Sequence, residues 1–139
     1  MSASPAAYQG LNVLDLSTRL SGAFAARLFG DYGATVILAE PDVGHTLRHE
    51  PPFANDVAES PVHLYVNWNK NRRIFTDLSE LESDIQQADV IVTTNLKTAK
   101  TIEPWLSKDS VHLCLTPHGA NGKLSEYPGN NLTHSARTG

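Results

Sequence analysis

Arg19, Lys70, Arg72 and Arg73 are the residues best suited to hold an anion, with Asn95 and Glu40 placed to complete a nucleotide-like site. Arg19 lies in the polar turn Ser17-Thr18-Arg19-Leu20-Ser21-Gly22. There a guanidinium either pairs with a phosphate or stays in solvent. Asn67-Trp68-Asn69-Lys70-Asn71-Arg72-Arg73 is the most polar and basic stretch of the chain, a phosphate-binding loop or a solvated one. Asn95 closes a β-branched run and either contacts a ligand or closes a turn. Glu40 ends another apolar run, where an acid can bind a ribose hydroxyl; we expect it instead to hold its own loop. His45, His49, His112, His118 and His134 lack a metal-ligand spacing on one helix, so no metal site is expected. His118 is the histidine worth testing for acid–base work, against the plainer reading of a surface loop residue. Cys114, Trp68 and Trp105 read as packing residues, and Asp15, Asp77 and Asp89 as structural.

The elements that must position these groups begin at Gly10. A short apolar run, Leu11 to Leu16, suits a strand buried on both faces. A helix follows, with Ser21 as its expected cap and Phe24, Leu28, Phe29 and Tyr32 at helical spacing as its expected inner face. Gly33 stands where a left-handed stop is wanted. Thr35 to Leu38 form a β-branched strand that ends at Glu40. This is the strand–helix–strand crossover of a parallel sheet.

Further on, Pro41 to Pro61 reads as an irregular loop and Val62 to Asn67 as a helix end or short strand. Ser79 is the expected cap of a helix over 80–87. Residues 89–94 and 111–116 are the third and fourth strands. A short helix over 98–106 is interrupted at Pro104, and residues 117–129 are loop. Leu132 to Ala136 begin one more helix. Residues 1–9 are expected to be a flexible lead-in to a domain over 10–139. The fold class is therefore α/β, a Rossmann-like parallel sheet with helices on both faces. Ligands of such sheets bind beyond the carboxyl ends of the strands.

Composition narrows the partners. The chain has 139 residues, a formal net charge of -4, 40% hydrophobic and 19% charged residues, as an ordinary globular domain has. No block of basic residues points to nucleic acid and no apolar run approaches a membrane span. The first residues lack the pattern of a signal peptide and the single cysteine allows no internal disulfide, so a cytoplasmic location is expected. The crossover suggests a dinucleotide at first. However, Ser17 to Gly22 contains no G-x-G-x-x-G, which disfavours NAD.

An ordered set of motifs resembles the family III CoA-transferases, the family of formyl-CoA transferase, carnitine CoA-transferase and α-methylacyl-CoA racemase. Its G-x-x-V-L-D-L-S is Gly10 to Ser17, its G-P-x-A-A is Gly22 to Ala26, and its L-G-A-x-V-I-K-V-E is Tyr32 to Glu40. Looser matches are Pro41 to Arg48 for P-P-G-G-D-P-x-R and Asn67 to Leu78 for N-x-N-K-R-S-x-x-x-D-L. Ala88 to Asn95 matches A-D-V-x-x-x-N. Gly119 to Lys123 and Pro128 to Asn131 match G-x-x-G-P and P-G-x-D. Departures fall at Ala23, His45, Ala99, Lys123 and Asn131, which marks a divergent branch.

The resemblance implies the N-terminal part of a large domain, incomplete at its C-terminal side, from an enzyme that forms interlocked homodimers. It implies CoA or acyl-CoA as ligand, held by Arg19, Leu20, Ser21, Lys70, Arg72, Arg73 and Asn95. It also implies carboxylate catalysis through a mixed anhydride, or α-proton transfer in the racemase branch. The family aspartate follows a glycine matched by Gly139, so no catalytic residue is expected among these 139. The chain by itself is expected to be inactive. The alternatives are a non-catalytic CoA-binding or assembly module and an NAD- or nucleotide-binding domain.

Overall fold

A computed structural model describes residues 6–53 and 60–138. Five described strands, β1 (Asn12–Leu16), β2 (Thr35–Pro41), β3 (Asn71–Phe75), β4 (Val90–Thr93) and β5 (Val111–Cys114), form one parallel sheet in the order β3-β2-β1-β4-β5. Val13 of β1 lies opposite Val36 of β2 on one side and Val90 of β4 on the other. The helices are α1 (Leu20–Asp31), α2 (Pro61–Asn67), α3 (Glu82–Gln87), α4 (Leu96–Ile102) and α5 (Asn131–Thr138).

Alternation along β1 and β4 divides the core into two layers. Val13, Val36, Val90 and Val92 pack with Ala26 of α1 on one face. Leu14, Leu16, Ala39 and Ile91 pack with Leu81, Ile85 and Ile102 from the α3 and α4 side on the other. Helices on both faces explain why β1 and β4 read as continuous apolar runs.

Helix α1 reverses the expected packing. Its buried residues are Gly22, Ala23 and Ala26, whereas Phe24, Leu28 and Tyr32 are exposed and Phe29 is only half-buried against the core. Small residues win because the helix runs close to the sheet. A Cβ at Gly22 would stand 2.5 Å from Ser17 Cβ and 2.5 Å from Thr94 Cγ2. Ser21 does not cap this helix: the N-cap is Arg19, with no side-chain bond, and Ser21 already lies in the first turn. Gly33 ends the unit at φ 99°, as expected.

Strand β3 was not anticipated. Asn71, Arg72 and Arg73 are exposed, so the segment carries no alternating apolar signal, and charged side chains suit a sheet edge. Val62 to Asn67 belongs to α2, capped by Ser60. The cap near residue 79 is Asp77: its carboxylate accepts from the Ser79 N–H while Glu80 reaches back to the Asp77 N–H. The helix at 98–106 divides at Ile102, with Glu103–Trp105 as a 3-10 turn.

In the lead-in, Tyr8 donates its N–H to the Tyr32 carbonyl at 2.9 Å and packs on Phe29 and Tyr32. Residues 6–9 are therefore docked; residues 1–5, like 54–59 of the long loop and Gly139, lie outside the described residues. Trp68 is exposed rather than packed, Trp105 leans on the core, and Cys114 is half-buried at the end of β5.

Candidate functional site

The chain order β3-β2-β1 runs one way across the sheet and β4-β5 the other, so the topological switch lies between β1 and β4. Loops leaving adjacent strands there diverge and open a crevice. Ser17-Thr18-Arg19 leaves β1 and Thr94-Asn95 leaves β4. They are tied where they separate: the Thr18 N–H donates to Thr94 Oγ1 at 2.8 Å.

Two cavities flank this tie. One, of about 1260 Å³, is lined by Arg19, Leu20, Ser21, Phe24, Leu47 and Tyr65 among others and is mostly apolar. The second, of about 730 Å³, is more polar than the first, with polar and apolar lining in similar measure, and includes Thr18, Arg19, Asn95, Lys97, Lys100 and Tyr127. Arg19 belongs to both, and its guanidinium donates to the Gly129 carbonyl at 3.2 Å, which holds the 128–130 segment against the first turn.

The expected binding residues thus separate into two groups. Arg19, Leu20, Ser21 and Asn95 converge on the switch point. Asn95 also N-caps α4, its side-chain oxygen accepting from the Lys97 and Thr98 N–H groups at 2.8 and 3.3 Å.

Lys70, Arg72 and Arg73 do not join them. The Lys70 ammonium is wholly buried and donates to Asp15 Oδ2 at 2.6 Å, Asn67 Oδ1 at 2.7 Å and the Ala23 carbonyl at 2.8 Å. All three of its protons are used, so it has none for a phosphate. Burial lowers its pKa, opposed by the Asp15 carboxylate. Arg72 and Arg73 lie on the edge strand, two strands from the switch point, where Arg72 pairs with Glu40 and Arg73 with Asp84.

Glu40 has a structural role, as expected. It is fully buried and pairs with Arg48 and Arg72 while accepting the His45 N–H at 2.8 Å. Burial alone would raise its pKa. The Arg48 hydrogen bond, the His45 N–H and the two guanidinium charges outweigh burial and hold it at about 2. With its oxygens engaged in this way, Glu40 is not set to bind a ribose. His118 packs its ring on His134 at 4.9 Å rather than lining either cavity.

Sequence reasoning missed Thr18, Thr94, Lys97 and Lys100. Thr94 becomes visible only once β4 is known to adjoin β1, which the order of motifs along the chain does not state. Lys100 is paired with Glu126 at 2.9 Å across the polar cavity, both side chains exposed. Among the described residues no three histidine, cysteine or acidic side chains converge as a metal site would require, and no helix is long and apolar enough to cross a membrane.

A parallel α/β sheet with a crevice at its switch point is the architecture in which ligands bind beyond the carboxyl ends of the strands. The sequence specifies it further: residues 8–139 match CoA-transferase family III, and the chain belongs to that family. It is 28% identical to the succinyl-CoA:(R)-benzylsuccinate CoA-transferase subunit BbsE of Thauera aromatica, over 95% of this chain and 36% of that protein. It is 31% identical to the succinyl-CoA:glutarate CoA-transferase of Mus musculus, over 94% of this chain and 33% of that protein. The chain therefore spans about a third of the length of these relatives. A CAIB/BAIF family protein from Brucella suis superposes with a TM-score of 0.79 at 20% identity, covering 96% of this chain and 39% of that one. At that identity the likeness supports the fold.

Proposed function

We propose that this chain supplies the CoA-binding part of a family III CoA-transferase site, with the nucleophilic aspartate contributed by a segment outside these residues. The observation that carries the reading is the convergence of Arg19, Leu20, Ser21 and Asn95 on the β1–β4 switch point, between an apolar and a polar cavity. CoA has both characters: an apolar acyl-pantetheine arm and a phosphorylated nucleotide. The polar cavity, with Arg19 and Lys97 at its rim, suits the anionic end. The apolar groove over Leu20 and Phe24 suits the arm.

The residues present can bind and orient. Arg19 offers a charged donor, and the first turn of α1 offers backbone N–H groups near the crevice. Among the described residues the carboxylates lining the two cavities are Glu50 and Glu126, and Glu126 is engaged with Lys100. In the proposed reaction an aspartate carboxylate attacks the acyl-CoA thioester, and CoA thiolate leaves from the tetrahedral intermediate. CoA thiolate then attacks the aspartyl carbonyl of the resulting anhydride, the donor acid leaves, and the acceptor acid takes CoA from the aspartyl thioester through a second anhydride. The role of this chain is to hold CoA in place through those steps.

Isothermal titration of the purified chain with CoA tests the reading. Binding that weakens at least about tenfold in Arg19→Ala supports it, as loss of a charged hydrogen bond requires. Absence of heat with CoA, with the chain shown to be folded, overturns it in favour of a non-catalytic assembly module.

A further inference from the structure

We propose that His45 is a proton-sensitive positioning residue: as a neutral imidazole it ties the β1–α1 turn to the 45–49 turn, and its protonation releases the wall that the two turns share.

The hydrogen-bond pattern fixes the tautomer. His45 is 2% exposed, and its Nε2 lies 2.8 Å from the Ser17 carbonyl, which can only accept. Its Nδ1 lies 3.1 Å from the Leu47 nitrogen, which can only donate. Nε2 therefore carries the proton and Nδ1 a lone pair. A second proton would enter at Nδ1 and face the Leu47 N–H, donor against donor, in a place where water cannot take over. In this connection through the imidazole, the bond lost directly is the Nδ1–Leu47 cap of the 45–49 turn; the Nε2 donation to Ser17, at the end of β1, is lost when the charged ring leaves its buried place for water.

Both ends of that connection build the site wall. Thr18 and Arg19 follow Ser17, and Thr46 and Leu47 follow His45; all four line the larger cavity. Thr46 Oγ1 also donates to the Thr18 carbonyl, and Leu47 packs with Ala23 and Val66 beneath the groove. Loosening His45 thus moves the turn that carries Arg19 and the floor under Phe24 together.

The charges around the ring come from every element packed on it. Asp15 of β1 and Glu40 of β2 favour the imidazolium, whereas Lys70, which follows α2, opposes it. Arg48, on the same turn, pairs with Glu40, as does Arg72 of β3, and His63 of α2 lies 5.5 Å away ring to ring. Both carboxylates are already paired with their own cations, Asp15 with Lys70 and Glu40 with two arginines, so their pull on a charge at His45 does not outweigh its burial. Burial, the largest influence, lowers the His45 pKa. A depressed histidine removes stability as pH falls below its unfolded value of about 6.5, because the unfolded chain then binds the extra proton.

Hydrogen exchange at the Leu47 and Thr18 amides, expressed as protection relative to the intrinsic rate at each pH, reads the release without any ligand. Wild-type protein and the His112→Gln control are expected to lose about tenfold in protection per pH unit once the pH is below 6.5 and above the folded His45 value. His45→Gln, which can keep a donor to the Ser17 carbonyl but cannot titrate, is expected to stay within about twofold, the tenfold-per-unit dependence requiring a titrating group. Protection that falls equally in His45→Gln overturns the proposal, as does wild-type protection that holds while the His45 ring is protonated. Should His45→Gln not fold, 15N spectra of the wild-type ring serve alone. The Nδ1 resonance must report an unprotonated acceptor at pH 7 and titrate in step with the Leu47 amide; a protonated Nδ1 at pH 7 refutes the tautomer. None of these outcomes depends on CoA, so they leave the proposed function to its own titration.

Discussion

Lys70→Met separates a structural lysine from a ligand-binding one. The native ammonium is fully buried, with contacts of 2.6, 2.7 and 2.8 Å to Asp15, Asn67 and the Ala23 carbonyl. Methionine matches the stem but removes every one of these bonds. It leaves the Asp15 carboxylate, itself 0% exposed, with the Ser17 N–H at 2.9 Å but without its counter-charge. Removing one member of a buried pair costs about 3–5 kcal/mol, mainly from the charge left behind. Against a domain stability of about 5–15 kcal/mol, much of the native margin would go. Asp15→Asn in the same chain removes the orphaned charge, so the double variant should recover part of the loss. A positive coupling energy of about 1–3 kcal/mol is expected for residues in direct contact. Urea denaturation of the wild type, both single variants and the double variant gives the cycle directly. The reasoning fails if Lys70→Met loses less than about 1 kcal/mol, the range of an exposed pair, while CoA heat disappears. That result would return Lys70 to the ligand.

Gly22→Ala should lower stability by about 1–2 kcal/mol. Overpacking at 2.5 Å contacts to Ser17 Cβ and Thr94 Cγ2 costs about 1–3 kcal/mol, and the better helix propensity of alanine returns at most about 1. A raised urea midpoint would refute the close approach of α1. Glu40, held at about 2 against an ordinary 4.5, stabilises the fold above its unfolded value and loses that contribution as pH falls through the folded one. The whole displacement corresponds to about 3 kcal/mol, which solvent screening at the half-exposed Arg72 reduces to about 1–2. Wild-type urea midpoints should therefore drop more steeply between pH 4.5 and 2 than those of Glu40→Gln; parallel curves would refute the assignment.

The sequence by itself determined the parallel α/β class, the strand–helix–strand unit from Gly10 to Glu40, and the family, because apolar periodicity and ordered motifs are local signals that need no partner to be read. It also placed Arg19, Leu20, Ser21 and Asn95 at strand ends, which in a parallel sheet is the ligand edge. Only the tertiary structure decided between solvent and interior for the charged residues. Lys70, Arg72 and Arg73 look alike in a basic run, yet one is buried against Asp15 and two stand on an edge strand. Their difference comes from residues distant in sequence: the Lys70 side chain reaches Asp15 of β1, and Arg72 pairs with Glu40 of the neighbouring β2. Helix α1 makes the same point: its large apolar residues suggested the inner face, but the distance from Gly22 to Ser17 and Thr94 admits only small ones. Periodicity reports which residues share a face, and the space left by the neighbouring strands selects which face goes in.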